Sequence, residues 1–472
     1  MRFPRVGESP RSWWAQWRHR IAYYIPVLAW LPNYGDGGLS TLVGDMVAGI
    51  SVACLMVPQS LSYAGLAGLS PMQGMWTAFA PAFVYSLLGT SRQLSVGPGA
   101  LVAILVNAAI TQAYISQGML HPDSPTLAEL AAILAILVGL FNLLLGLCRL
   151  GFLDSVLSRA MLHGFIYGVG FVICIGQLVP LLGLTKFTQG SLAGNASALE
   201  TSVWLSKNIH HTHVLTAVVG FSCIAFLLAA RIIKKQVARR RPRTTWPQLI
   251  PEILIVVVGA IIISTVLRLE QRGLAVLGEV PNAGQLPKIR WPPVQRLQWS
   301  QFRALATSAA LIAVLGFVES VAVTKQYAAK RHYTVSANRD LVAFGLANLC
   351  GGLFGAFPAF GSIARTKIND KAGARTQLAG MITALCSLAA ALLLLPYLWS
   401  LPRAALAGVV FTAALGLIIE APRQLRFIIR LHAWRDLALI ASVFLATVLV
   451  SVEAGTLFVV AASIILVIRH TT

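Results

Sequence analysis

Apolar runs of about 20 residues recur along this chain between residues 45 and 468. Each is long enough, at about 1.5 Å per helical residue, to cross a hydrocarbon layer about 30 Å thick. Such a chain has few folds open to it. In lipid every backbone N–H and C=O must find its partner within the protein, which leaves helices and closed barrels, and runs this long suit helices. Composition agrees: 57% of the 472 residues are hydrophobic and only 11% are charged, against about 25% charged in a soluble domain. The expectation is an all-α polytopic membrane protein, integral and multi-pass.

The formal net charge of +21 suggests nucleic acid at first sight, but no soluble domain is left over to fold around it. The basic cluster KKQVARRRPR (234–243) directly follows an apolar run ending at Ile233, so it reads as a juxtamembrane loop held inside by the positive-inside bias and facing anionic membrane lipid. The six cysteines fall in or beside apolar runs without paired spacing and read as packing residues. The opening MRFPRVGESPRSWWAQWRHR has no apolar core of its own, so it reads as a cytoplasmic segment near the membrane and not as a signal peptide.

Candidate spans lie near 45–67, 71–88, 97–113, 127–148, 160–184, 213–232, 249–267, 302–324, 337–356, 364–375, 377–396, 402–419, 434–451 and 453–468, fourteen in all. With the N-terminus inside, most basic loops fall inside; the long outer loop 268–303 resists, being basic itself. Both termini are then cytoplasmic, with the particular membrane undetermined. The outer loop 185–212 carries a glycosylation sequon at Asn195 and the histidines His210, His211 and His213. No acidic or thiolate neighbour completes a metal shell there, so no metal is expected.

Two spans are abnormal. TSRQLSVGPGALVAILV (90–106) and PAFGSIARTKIND (358–370) are short or broken by Gly and Pro, and they are the third and tenth spans. Interrupted segments at matching places in two halves of a membrane chain point to a site built from half-helices. Seven spans per half makes the second half inverted. Two half-helix N-termini meeting at mid-membrane present unpaired N–H groups and positive dipole ends to an anion. Arg365 adds a charge that it does not shed, and an arginine at bilayer depth, costing at least about 2.5 kcal/mol, needs a partner. An oxyanion is one such partner. A simple ion pair with Glu319, which sits among apolar residues in ALIAVLGFVESVAVTKQY, is the plainer alternative. The two readings combine if Glu319 takes a proton when an anion neutralises Arg365.

GDMVAGISVACLMVPQSLSYAGLAGLSPMQGMW (44–76), then GTSRQLSVGPGALVAIL, then the stretch from Val318 to Gly380 resemble, in order and over nearly the whole chain, the signatures of the SulP family of sulfate permeases and related anion transporters. The resemblance implies 14 transmembrane segments in a 7+7 inverted repeat, divided into core and gate domains. The chain then divides into a cytoplasmic segment 1–44, membrane repeats 45–268 and 302–468, and a tail 469–472. It implies substrate binding by Gln59, Tyr63, Val96, Gly97, Ala100, Ser362 and Arg365, and proton coupling through Glu319, the acid of proton-coupled members. Gln59 and Tyr63, four apart, also fit a plain helix–helix contact.

This sequence departs from the family pattern at Ala364, where a serine is common, and at Lys367, where a small residue is common. Members usually continue into a cytoplasmic STAS domain, whereas this sequence ends at RHTT. They are usually dimers, partly through that domain, so a homodimer is one option here. No HExxH, P-loop or metal-spaced carboxylate cluster suggests an enzyme, and no cofactor is expected. The expected function is secondary active transport of sulfate or a related inorganic oxyanion, by proton symport with alternating access. The alternative is an exchanger or channel-like carrier of chloride, bicarbonate or nitrate.

Overall fold

The computed structural model describes residues 25–32, 34, 38–115, 126–152, 159–187, 197–240, 250–280, 283–286, 289–419, 421–452, 454–459 and 462. The N-terminal stretch up to residue 24, the sequon at Asn195, Glu420 and most of the 453–468 span lie outside them.

The chain is all-α. The first half contains α1 (Gly38–Leu66), α2 (Pro71–Leu88), the two-residue strand β1 (Val96–Gly97), α3 (Ala100–Ile115), α4 (Leu127–Leu147), α5 (Arg159–Leu181), α6 (Ala198–Asn208), α7 (Val214–Arg240) and α8 (Glu252–Val266). The second half contains α9 (Trp299–Lys330), α10 (Ala337–Leu353), β2 (Phe360–Gly361), α11 (Ile363–Ala372), α12 (Leu378–Ala389), α13 (Arg403–Ile419), α14 (Ala421–Arg430) and α15 (Trp434–Leu449). Among the described residues seven helices are both long and apolar enough to cross a membrane, and Ala100–Tyr114 and Glu252–Val266 are shorter apolar helices. Two stretches read as loops from sequence hold helices, α6 and α14. α6 starts at a capping box in which Ser197 and Glu200 satisfy each other's backbone amides, a local signal that an apolar-run reading passes over.

The helices pack as two sets. α4 lies against α10, α2 against α10 and α12, α1 against α2, α11 and α12, and α9 against α3 and α4. In the other set α5 packs against α13 and α15, and α7 against α8 and α13. The sets meet where α13 and α8 touch α1.

Of the three connections between the sets, α4 to α5, α8 to α9 and α12 to α13, the last two are joined to each other. After α8 the chain runs past Ala275–Gly278 toward α9, and after α12 it runs through Leu395–Ser400 to α13. Leu277 N–H donates to Leu401 O at 2.8 Å, Gly278 N–H to Trp399 O at 3.0 Å and Arg403 N–H to Ala275 O at 3.0 Å. The Thr265 and Ser400 hydroxyls add a contact at 3.0 Å. Further along, Arg290 N–H reaches Leu353 O at the end of α10 (3.0 Å).

Two buried aspartates pin turns between helices. Asp45, 0% exposed, accepts from the N–H groups of Arg375 and Thr376 and from the Thr376 hydroxyl (2.7, 3.1 and 2.6 Å), holding the turn that opens α12. Asp340, also 0% exposed, accepts from Thr90 N–H (2.9 Å), the Thr90 hydroxyl (2.8 Å) and Tyr85 Oη (3.2 Å). Each is therefore a loop contact, Asp45 holding the turn before α12 and Asp340 the turn after α2.

Candidate functional site

The two broken spans come together. β1 and β2 pair antiparallel, Val96 opposite Gly361 and Gly97 opposite Phe360, so α3 and α11 leave one central place in opposite directions. At 16 residues α3 is about 24 Å long, and at ten residues α11 is about 15 Å long; both fall short of the hydrocarbon thickness. Their first helical bonds are Ala103 N–H to Gly99 O and Thr366 N–H to Ser362 O. The amides of Ala100–Val102 and Ile363–Arg365 precede those bonds and carry the positive dipole ends.

Unwound backbone at this depth must be satisfied by protein groups. Asn348 bonds both edges of Ala359, accepting from its N–H at 2.7 Å and donating to its carbonyl at 3.1 Å. Thr77 accepts from Phe357 N–H at 3.0 Å. Ser320, beside Glu319, accepts from Gly361 N–H at 2.9 Å. Ser362 N–H donates to Ser95 O (3.1 Å), Ser95 N–H to the Thr366 hydroxyl (3.2 Å) and Asn369 Nδ2 to Gln93 O (2.9 Å). The lead of one half-helix is thus bonded to the body of the other.

Arg365 is the largest fully buried side chain among the described residues, 0% exposed. Its Nη1 donates to Pro98 O at 2.7 Å and, at a longer 3.4 Å, to Gln59 Oε1. Nε and Nη2 find no hydrogen-bond partner among the described residues. Gly97 lies against the same guanidinium: a Cβ there would stand 3.4 Å from Nη2 and 2.9 Å from Met56 Cε, so only glycine lets the backbone approach this closely. Tyr63, one turn beyond Gln59 on α1 and 5% exposed, is within electrostatic reach of Arg365, Glu319 and Arg231.

The plain ion pair between Arg365 and Glu319 is not formed. The described ion pairs within 4.0 Å are Lys234–Glu252, Lys330–Asp370 and Arg331–Asp370. Glu319 is half-buried on α9 and feels the guanidinium's charge from further away. A buried guanidinium without a carboxylate keeps a desolvation cost of several kcal/mol uncompensated, and its Nε and Nη2 are left as donors without an acceptor among the described residues.

Gln59, Tyr63, Val96, Gly97, Ala100, Ser362 and Arg365 therefore surround one place, with Glu319 beside the lead of α11. Lys367 does not join them. Two residues after Arg365 on a helix, it faces the opposite side and is exposed. His213 is used locally, its Nδ1 2.7 Å from the Thr216 hydroxyl.

Sequence reasoning missed Arg231. Counted with the basic loop, it instead turns inward from α7 and donates through Nη1 to Thr412 O on α13 at 2.8 Å. Its apolar neighbours, in AARII, are the signal that separates it from the exposed cluster that follows.

The fold and this site define a multi-pass α-helical membrane protein built around two opposed half-helices. Comparison with known proteins narrows the class: the sulfate permease family profile matches residues 42–445. The chain belongs to that family. It is 31% identical over 455 residues to a putative sulfate transporter of Saccharomyces cerevisiae, covering 95% of this chain and 58% of that protein. It is 34% identical over 436 residues to a probable sulfate transporter of Mycobacterium tuberculosis, covering 91% and 70%. Human solute carrier family 26 member 6 is 32% identical over 487 residues, covering 99% and 61%. The chain thus spans between 58% and 70% of these relatives' lengths.

Among solved structures, the murine solute carrier 26 family member A9 anion transporter in its inward-facing state superposes with a TM-score of 0.83 at 26% identity, over 99% of this chain and 74% of that one. The transmembrane domain of a cyanobacterial bicarbonate transporter shares the fold, with a TM-score of 0.73 at 24% identity over 88% and 97%.

Proposed function

We propose that the protein is a secondary transporter of a small inorganic oxyanion, sulfate first, moved together with protons by alternating access. The observation that carries this reading is Arg365: a fully buried guanidinium with Nε and Nη2 unbonded among the described residues, set where two helix N-termini meet. A tetrahedral oxyanion accepts from both open donors and from the helix amides, and takes over the charge balance that a carboxylate would otherwise supply. Gln59 and Tyr63 line its α1 side, and Gly97 gives it room beside the guanidinium.

Glu319 supplies the proton. Half-buried and outside ion-pair distance of Arg365, it is stabilised as a carboxylate by that charge alone. An anion that neutralises Arg365 removes the stabilisation and favours the protonated acid, so the two cargoes load together. The repeats 45–268 and 302–468 act as inverted halves, a reading that the antiparallel pairing of β1 and β2 supports. The set containing α3 and α11 is the core and the set containing α5 and α13 is the gate. The sulfate-transporter names of the yeast and mycobacterial relatives favour sulfate over chloride, bicarbonate or nitrate.

The test is uptake of radiolabelled sulfate into proteoliposomes with and without an inward proton gradient, for wild type, Arg365→Ala and Glu319→Gln. Gradient-driven uptake lost in both variants is the expected result. Sulfate flux in wild type that ignores the gradient, and survives Glu319→Gln, turns the reading into exchange or channel-like conduction. No flux of sulfate, chloride, bicarbonate or nitrate in wild type overturns it.

A further inference from the structure

α14 is a ten-residue amphipathic stretch that closes the helical run Arg403–Arg430, and its two sides differ. Ala421, Leu425 and Ile428 turn inward onto Tyr167 and Ile440 of α5 and α15, and Tyr167 Oη bonds Gln424. The other side holds Arg423, Arg426 and Arg430, all exposed, together with Phe427 and Ile429, which are 64% and 45% exposed. A basic stretch that ends a membrane-spanning run brings its arginines to the headgroup level, with the apolar side chains beside them at the acyl boundary.

Beside it is a cavity of about 820 Å³ lined by Ala160, His163, Arg423, Gln424, Arg426, Phe427, Ile428, Arg430 and Asp436. Three guanidinium groups converge on it and Asp436 is the carboxylate in its lining. Its lining thus joins three arginines and one carboxylate to the exposed ring of Phe427. It belongs to the α5–α13–α15 packing set, away from Arg365.

We propose that this cavity binds the headgroup of an anionic phospholipid. Arginine forks match phosphodiester oxygens, and basic pockets between membrane helices hold anionic headgroups. Phe427, in the lining and 64% exposed, suits an apolar portion on the same ligand, which a soluble phosphate does not bring. The site therefore takes lipid.

The full chain, delipidated in detergent, is titrated with phosphatidylglycerol or phosphatidylcholine, and bound lipids are counted by native mass spectrometry. Wild type is compared with the triple variant Arg423→Gln, Arg426→Gln, Arg430→Gln and with Phe427→Ser. Wild type is expected to prefer phosphatidylglycerol by roughly 100-fold, from about fivefold per arginine near an anionic headgroup. The triple variant is expected to lose that preference. Phe427→Ser should weaken binding while keeping it, and 10-fold excess inorganic phosphate should leave the lipid bound. Equal affinity of wild type for the two lipids overturns the proposal, as does an unchanged preference in the triple variant. Displacement by phosphate also overturns it and makes the cavity a soluble-anion site. If the triple variant does not fold, wild-type lipid preference and phosphate competition decide alone.

Discussion

The two half-helices that meet at the centre are held in opposite ways. α3 reads ALVAILVNAAITQAYI, without a charge, and its Leu101, Val102, Ala103, Leu105 and Val106 sink into the main apolar cluster. α11 reads IARTKINDKA, and polar bonds fix it: Thr366 and Asn369 to the β1 lead, and Asp370 to Lys330 Nζ (2.6 Å) and Arg331 Nε (2.7 Å) at the end of α9. It stops at Gly373, whose φ of 101° ends the helix in a left-handed turn. The difference teaches a division of labour. A helix that carries charge into the membrane has too little apolar face to be held by packing, so its position depends on directional bonds. Its apolar counterpart supplies a dipole and a wall, and ordinary packing is enough for that.

Removing the charge from α11 tests the comparison hardest. Arg365→Ala should lower sulfate uptake in proteoliposomes by more than about 100-fold, the loss of roughly 3 kcal/mol or more of charge-assisted bonding. Arg365→Lys should rescue little, because one ammonium cannot replace the forked donors that reach Pro98 O and the anion together. Full uptake by either variant would mean that the helix dipoles suffice.

Next comes the approach from the apolar side. Gly97→Val puts atoms into Met56 and the guanidinium; it should raise the sulfate KM by roughly 10- to 100-fold, since displacements on the order of 1 Å carry that kinetic cost, and lower stability by about 1–3 kcal/mol in thermal melts, the cost of overpacking a buried site. A KM within twofold of wild type would show that α3 and Arg365 are not in register.

Asp370→Asn separates anchoring from chemistry. It leaves Lys330 and Arg331 without their carboxylate, and because both are about half exposed the stability loss should be only about 1 kcal/mol. Thermal melts in detergent read it, with KM for sulfate as the control. Smallest of all, Lys367→Gln should change sulfate KM less than about twofold, since it faces away from Arg365 on the helix; a larger effect would extend the charged side of the site around α11.

Much of this was legible in the residues. Gly and Pro interrupting two spans marked both half-helices, and an arginine within one of them marked the candidate site. What stayed hidden is what tertiary structure decides. Asn348, Thr77 and Ser320 are ordinary polar residues of ordinary helices, and nothing local shows that they satisfy an unwound segment elsewhere in the chain. Arg231 was masked by the basic cluster next to it. α14 was read as loop because its ten residues hold three arginines, and a search for apolar runs is blind to an amphipathic surface helix. The partner of Arg365 was open for another reason: Glu319 is near enough to be plausible by depth, and only three-dimensional spacing separates electrostatic reach from an ion pair.

The bonded connections between the two helix sets set the mechanics of any motion between them. Two independent tethers would let one body slide, twist and tilt against the other, each slackening in turn. Stitched together at Ala275–Gly278 and Trp399–Arg403, they behave as one strap, with the α4–α5 connection as the other. Displacement of either body must carry that strap along or tear its stitches, so three crossings restrain the motion as two would.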